Sequence, residues 1–149
     1  MIVLSAMSSE LTIRPFGTDD EAAVVALWRA CNLTRPWNDP HKDIARKQHV
    51  QPHLFLVGEL DGVLVATVMA GYEGHRGWIN YLAVATQHRR AGFGRAMVHE
   101  AERLLHQAGC PKVNLQVRRD NSDAVAFYAA IGYGEDAVVS LGKRLKHDA

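Results

Sequence analysis

Between Gln87 and Gly94 the chain reads Gln-His-Arg-Arg-Ala-Gly-Phe-Gly, and a helical pattern begins directly after it. Residues of these types at this spacing suit phosphate binding. Two glycines just ahead of a helix let the backbone come close to a ligand. The unpaired amides of the first turn lie at the positive end of the helix dipole, and Arg89 and Arg90 add charge-assisted donors. The same fragment also reads as a tight strand-to-helix turn whose glycines serve packing only, and on the fragment alone the two readings stand level. Two other phosphate motifs are excluded: the P-loop requires G-x-x-x-x-G-K-[ST], which the chain lacks, and the dinucleotide fingerprint requires glycine where Met97 stands.

Other reactive residue types carry less. His99, Glu102 and His106 share one helix face at i, i+3 and i+7, but that face lies opposite Met97, Ala101 and Leu104 and reads as solvated. His49 and His53 are separated by Gln51-Pro52, which spoils the helical geometry of a ligand pair. No Ser-His-Asp or Cys-His arrangement stands out. Cys31 and Cys110 lack C-x-x-C spacing and read as reduced, buried thiols in a reducing compartment. Trp37, between Arg35 and Asn38, reads as a loop anchor or the aromatic wall of a substrate pocket. Trp78 reads as packing.

The elements that must hold these residues follow from periodicity and turn chemistry. Leu11 to Arg14 is a short β-type run ended by Pro15. Thr18 or Asp19 caps a helix with apolar positions Ala23, Val24, Leu27 and Ala30. Asn32 to Pro40, with two prolines, breaks it, and a short helix is expected over Asp43 to Val50. Leu54 to Leu60 and Val63 to Ala70 flank Asp61-Gly62, a strong hairpin signal. After the turn Gly71 to Gly77 comes a strand, Trp78 to Val84. A helix over Gly94 to Ala108 stops at Gly109, Lys112 to Val117 alternates as a strand, Asn121 to Ile131 is helical, and Val138 to Leu145 is expected as an edge strand. This order describes a mixed α/β sheet with helices on both faces.

A chain of 149 residues with 48% hydrophobic and 22% charged residues has the size and composition of one globular domain. A net charge of +1 gives no broad attraction to nucleic acid or an anionic membrane. Met1 to Ala6 is apolar but lacks a basic flank and is too short for a signal or a span. The expectation is therefore a cytoplasmic protein with a flexible extension over 1–10, for which Met7 is an alternative start, and a single domain over 11–149.

With these blocks in order, the chain resembles the GNAT acetyltransferase superfamily. The signature [QR]-x-x-G-x-[GA] after the fourth strand is matched by Arg89-Arg90-Ala91-Gly92-Phe93-Gly94, and the helix pattern N-x-x-A-x-x-x-Y-x-x-x-G-[FY] is matched from Asn121 through Ala124 and Tyr128 to Gly132-Tyr133. The stretches RPWNDP, GYEGHRGW and LGKRL further resemble those of a small bacterial subgroup of acetyltransferases. The resemblance, which covers Leu11 to Leu145, implies an α+β fold with a mixed, mostly antiparallel sheet of six to seven strands. It implies acetyl-CoA as co-substrate and an amine of a small molecule or peptide as acceptor, attacked directly in a ternary complex. It further implies that backbone amides from Arg90 to Arg95 hold the pyrophosphate and that Leu82, Ala83 and Val84 pair with the pantetheine arm, one of their amides polarising the thioester carbonyl. Asn121 would bond the cofactor arm, and Tyr128 would protonate the departing thiolate. A homodimer would be unsurprising in such a family. Many relatives place a glutamate base on the fourth or fifth strand; here those strands offer Asn80, Tyr81 and Gln116. Glu73, then His75, in the preceding turn are the nearest titratable candidates, with a water chain or a solvated hairpin tip as the other readings. The missing strand glutamate keeps open a non-catalytic acyl-CoA-binding module on the same fold.

Overall fold

Asp61 and Gly62 both adopt positive φ, 52° and 79°, as a two-residue turn between right-twisted strands requires. They join β2, Phe55–Leu60, to β3, Val63–Tyr72. The second turn leads into β4, Gly77–Val84, completing an antiparallel meander, and β1, Thr12–Pro15, adds antiparallel to β2. The last strand, β5, Val113–Leu115, lies parallel to β4, so the sheet order is β1-β2-β3-β4-β5. The computed structural model describes residues 10–148; the N-terminal segment with its two alternative starts lies outside them.

Helices cover both faces. On one lie α1, Glu21–Ala30, and α2, Pro40–Lys47; on the other lie α3, Phe93–Gln107, and α4, Ser122–Ala130. The Leu-Phe-Leu-Val run is apolar throughout because both faces of β2 are buried: Phe55 and Val57 join Val24, Trp28 and Ile44, whereas Leu54 and Leu56 join Met97, Val98, Ala101 and Leu105. The expected α1 stripe is rotated. Val24, Val25, Leu27 and Trp28 are buried while Ala23 and Ala30 face solvent, because the larger side chains remove more apolar surface from water. Helix α2 begins three residues before the expected Asp43. Pro40, read as a breaker, occupies its first turn, and the Asp39 carboxylate accepts the amides of His41 and Lys42.

Beyond the end of β2, side chains continue its ladder. The Gln51 amide donates to the Tyr72 carbonyl at 2.9 Å and accepts the Tyr72 N–H at 2.8 Å, and Lys47 Nζ donates to the Ala70 carbonyl. These bonds satisfy a strand edge that β2 is too short to reach.

The sheet has five strands among the described residues, not six to seven. The strand expected over Lys112 to Val117 shrinks to Val113–Leu115, and the edge strand expected over Val138 to Leu145 does not form. A three-residue β5 offers its neighbour little ladder to extend. The following chain is held by side chains instead, through Lys112 to Asp136 at 2.9 Å and Gln116 to Ser140. Val138, Val139, Leu141 and Leu145 consequently stand between 78% and 90% exposed.

Candidate active site

The turn between β4 and α3 is built from main-chain groups that the fold does not use. The amides of Arg90, Ala91, Gly92, Phe93, Gly94 and Arg95 make no hydrogen bond to any described residue; the first donor of the helix to find a partner is Ala96, to the Gly92 carbonyl at 3.0 Å. Positive φ at Arg90 (68°) and Gly92 (82°) shapes a concave run of donors, the kind of backbone nest that binds anions. A Cβ on Gly92 would meet nothing within 4 Å, so the space before the helix is open. Gly94 has a packing role, since a Cβ there would stand 3.3 Å from the Phe127 ring. With Arg89, Arg90 and Arg95 in the same segment, these amides suit a diphosphate in kind and in charge, although Arg89 Nε here donates to the Val84 carbonyl at 3.4 Å.

Immediately upstream, the sheet parts. β4 and β5 pair only from Gly77–Val113 to Ile79–Leu115, while β4 continues to Val84. From Asn80 onward the β5 side of β4 has no strand partner. On the other side, Thr67 pairs with Ala83 and Met69 with Asn80, so Tyr81 and Leu82 together oppose Val68 in a β-bulge. Ala85 N–H donates to the Val65 carbonyl at 2.8 Å, so by strand alternation Ala83 faces β3 and the main-chain groups of Leu82 and the Val84 N–H face the opening, while the Val84 carbonyl accepts Cys31 Sγ and Arg89 Nε, each at 3.4 Å. An extended ligand arm finds an unpaired strand edge there, ending at the amide-lined turn.

A buried polar relay holds the bulge open. Tyr81 has φ of 52°, a conformation that costs a non-glycine residue about 1–3 kcal/mol unless its surroundings hold it. Its carbonyl accepts the Thr67 hydroxyl at 2.9 Å, and that hydroxyl accepts Trp28 Nε1 at 2.9 Å. Its ring stacks on Trp28 at 3.8 Å and 10°, and its hydroxyl donates to Asp43 Oδ2 at 2.6 Å. Burial, reinforced by Asp43, raises the Tyr81 pKa well above the ordinary tyrosine value and keeps the phenol protonated. Thr67→Val keeps the volume but strips Trp28 Nε1 and the Tyr81 carbonyl of their partner, so we expect a loss of about 1–3 kcal/mol in urea unfolding. An unchanged midpoint would show that the hydroxyl does not hold the bulge.

Helix α4 borders the same turn through Phe127. Tyr128 packs against the α3-side core, edge-on to Phe127 and Tyr133, and its hydroxyl bonds to no described residue. Burial pushes its pKa up to about 12. Asn121 caps α4, its Oδ1 accepting the Ala124 amide at 3.1 Å, which leaves its NH2 group to bond a ligand.

Glu73 sits in the β3–β4 hairpin, beyond the Gly77 end of β4 and away from the bulge. Its carboxylate accepts the amides of His75 and Arg76, and these bonds hold its pKa below the ordinary carboxylate value. That is the behaviour of a turn cap, and the geometry gives the general-base expectation for Glu73 no support. The residues that sequence patterns did not single out are Thr67, Trp28, Asp43 and the unassigned Tyr81. The local signal among them was a lone threonine inside the apolar run Val63 to Ala70.

The profile of the Acetyltransferase (GNAT) family matches residues 22–133. An acetyltransferase of Yersinia pestis (strain Pestoides F) is 45% identical over 135 residues, covering 91% of this chain and 96% of the relative. An acetyltransferase of Pectobacterium atrosepticum is 45% identical over 138 residues, covering 93% and 98%. Among solved structures, Ard1 from Thermoplasma volcanium superposes with a TM-score of 0.75 at 27% identity over 85% of this chain and 84% of that one. AAC(6′)-Iy, in complex with the bisubstrate analogue CoA-S-monomethyl-acetylneamine, shares the fold with a TM-score of 0.73 at 16% identity over 91% and 99%. The chain belongs to the GNAT family of acetyltransferases and is an N-acetyltransferase. No described helix is long and apolar enough to cross a membrane.

Proposed function

We propose that the protein takes acetyl-CoA as co-substrate and passes the acetyl group to a primary amine by direct attack within a ternary complex. The observation that carries this reading is the run of amides from Arg90 to Arg95 with no partner among the described residues, beside the edge of β4 at Leu82–Val84 that no described strand pairs. In the reaction the amine lone pair adds to the thioester carbonyl carbon, the C–N bond forms, and the C–S bond breaks. A cleft-facing amide of the bulged strand steadies the oxygen as it gains charge. The Tyr128 hydroxyl gives its proton to the leaving sulfur, and the excess proton on nitrogen passes to water, which returns a proton to the Tyr128 oxygen. Asn121 bonds the cofactor arm with its remaining amide hydrogens. AAC(6′)-Iy binds an analogue that joins both substrates, which favours direct attack on this fold.

The test is thermal. At a hundredfold excess over its dissociation constant, CoA stabilises a folded protein by about 2.7 kcal/mol, which for a chain of this size raises Tm by roughly 5 °C or more. If neither CoA nor acetyl-CoA moves Tm at saturation, the reading fails.

A further inference from the structure

Two stretches with unusual sequences remain outside the machinery described so far, Arg35–Pro40 and Leu141–Leu145. The fold brings them together. The Arg144 guanidinium donates to Asn38 Oδ1 at 2.7 Å across 106 positions of sequence. The tail is pinned at its far end by Asp148, which accepts the Asp39 amide at 2.8 Å and pairs with Arg46 at 3.1 Å, while Lys42 donates to its carbonyl at 2.7 Å. Beside this strap lie two adjoining cavities, both wide open to solvent. One, of about 350 Å³, is walled by Pro36, Trp37 and Arg144. The other, of about 710 Å³, is walled by Trp37, Lys143, Arg144, Leu145 and Lys146. Such volumes are of the size that holds a small molecule.

The cavity walls are electrically unbalanced. Asp148, their carboxylate, is spent on Arg46 and on the Asp39 amide. Lys143, Arg144 and Lys146 have no carboxylate within ion-pair distance among the described residues. A net charge of +1 for the whole chain conceals this local excess. Beside the three cations stand an indole and an isobutyl group largely in solvent, Trp37 at 51% and Leu145 at 87% exposure. Arg46, on the same wall, holds Asp43 at 2.7 Å, and Asp43 holds the hydroxyl of the bulge residue Tyr81 at 2.6 Å. One hydrogen-bonded chain therefore links the cavity to the place where the strand opens.

We infer that this cavity is the acceptor site and that it takes a small primary amine carrying a carboxylate or phosphate group. The assignment rests on the acetyl transfer proposed above. Lys143, Arg144 and Lys146 bind the anionic group, Trp37 and Leu145 cover an apolar or planar body, and the amine end points toward the bulge. Polycationic amines are disfavoured, because they bring like charge against three cations that no described carboxylate pairs.

Four probes of one shape decide it: 4-(aminomethyl)benzoate, 4-(aminomethyl)phenylphosphonate, benzylamine and p-xylylenediamine, each with acetyl-CoA, read by release of free thiol. We expect kcat/KM for at least one anionic amine to exceed that for benzylamine by about ten-fold or more, with the diamine lowest. The preferred anion then separates carboxylate from phosphate acceptors. Lys143→Gln combined with Lys146→Gln collapses the preference, and so does raising salt, because exposed charges are screened. Equal use of the four amines, preference for the diamine, or a preference untouched by the double variant overturns the assignment. CoA binding is measured separately by calorimetry. Where CoA does not bind, the acetyl-transfer reading falls, and the cavity is judged by indole quenching with 4-(aminomethyl)benzoate. Quenching that persists in Trp37→Phe, that the double variant leaves unchanged, or that does not occur, overturns the site itself.

Discussion

Tyr128→Phe lowers kcat by about 10²-fold or more, the range in which a positioned general acid contributes, while CoA binds with unchanged affinity. The phenol suits that part because its hydroxyl bonds to no described residue and because burial raises its pKa to about 12. It remains a neutral donor at every pH at which the amine is usefully deprotonated. The pH dependence follows in sign. A donor that ionises only near 12 gives kcat no descending limb between pH 8 and 10, so the rate should rise with amine deprotonation and then level. A fall in that interval would point to an acid of lower pKa. Folding responds in the matching direction. An unfolded tyrosine ionises near ~10, so the stability that Tyr128 contributes is complete below that pH and fades as pH climbs toward 12. Turnover unchanged in Tyr128→Phe, measured with a saturating amine by thiol release, would remove this residue from the reaction.

Gly92→Val should weaken CoA binding by about ten-fold or more with only a modest loss of fold stability. Two costs combine. Gly92 has φ of 82°, where a β-branched residue is strained by about 1–3 kcal/mol. A Cβ there would also project into empty space rather than into protein, and in the proposed function that is the space a phosphate enters to reach the amides. If the loop relieves the strain by rotating, the amides of Arg90 to Arg95 lose their common focus, so binding suffers either way. Gly94→Ala provides the contrast. Its Cβ would press on the Phe127 ring at 3.3 Å, so that change is felt in packing between α3 and α4. Calorimetric titration with CoA measures the effect. Equal affinity in Gly92→Val would mean that the diphosphate does not lie on this turn.

The features that survived the passage from sequence to coordinates are those settled within a dozen neighbouring residues. Asp61-Gly62 reads as a tight hairpin, and its positive φ values show why. The Arg89–Gly94 turn reads equally as an amide cradle or a packing turn, and its amides are indeed unpartnered among the described residues, because unpaired donors at a helix start are a local property of any helix. The phase of α1 did not survive. Val25 and Trp28 outcompete the two alanines for the interior, and the outcome depends on which residues wait across the gap, Phe55 and Tyr81 among them. The edge strand over Val138–Leu145 also failed. Alternation in one segment cannot report that the neighbouring strand is three residues long.

What the sequence determined by itself was the family, the helix-and-strand order as far as the last helix, and the main-chain amides left unpaired at the start of α3, because each rests on short-range spacing. What only the tertiary structure decided was where the sheet opens and what surrounds the opening. Trp28, Thr67 and Tyr81 meet across 39 and 14 positions of chain, and Asn38 meets Arg144 across 106. Hydrogen bonds between residues so far apart leave no periodic trace in the chain, since each partner alone is an ordinary polar residue whose role exists only once the fold supplies the other.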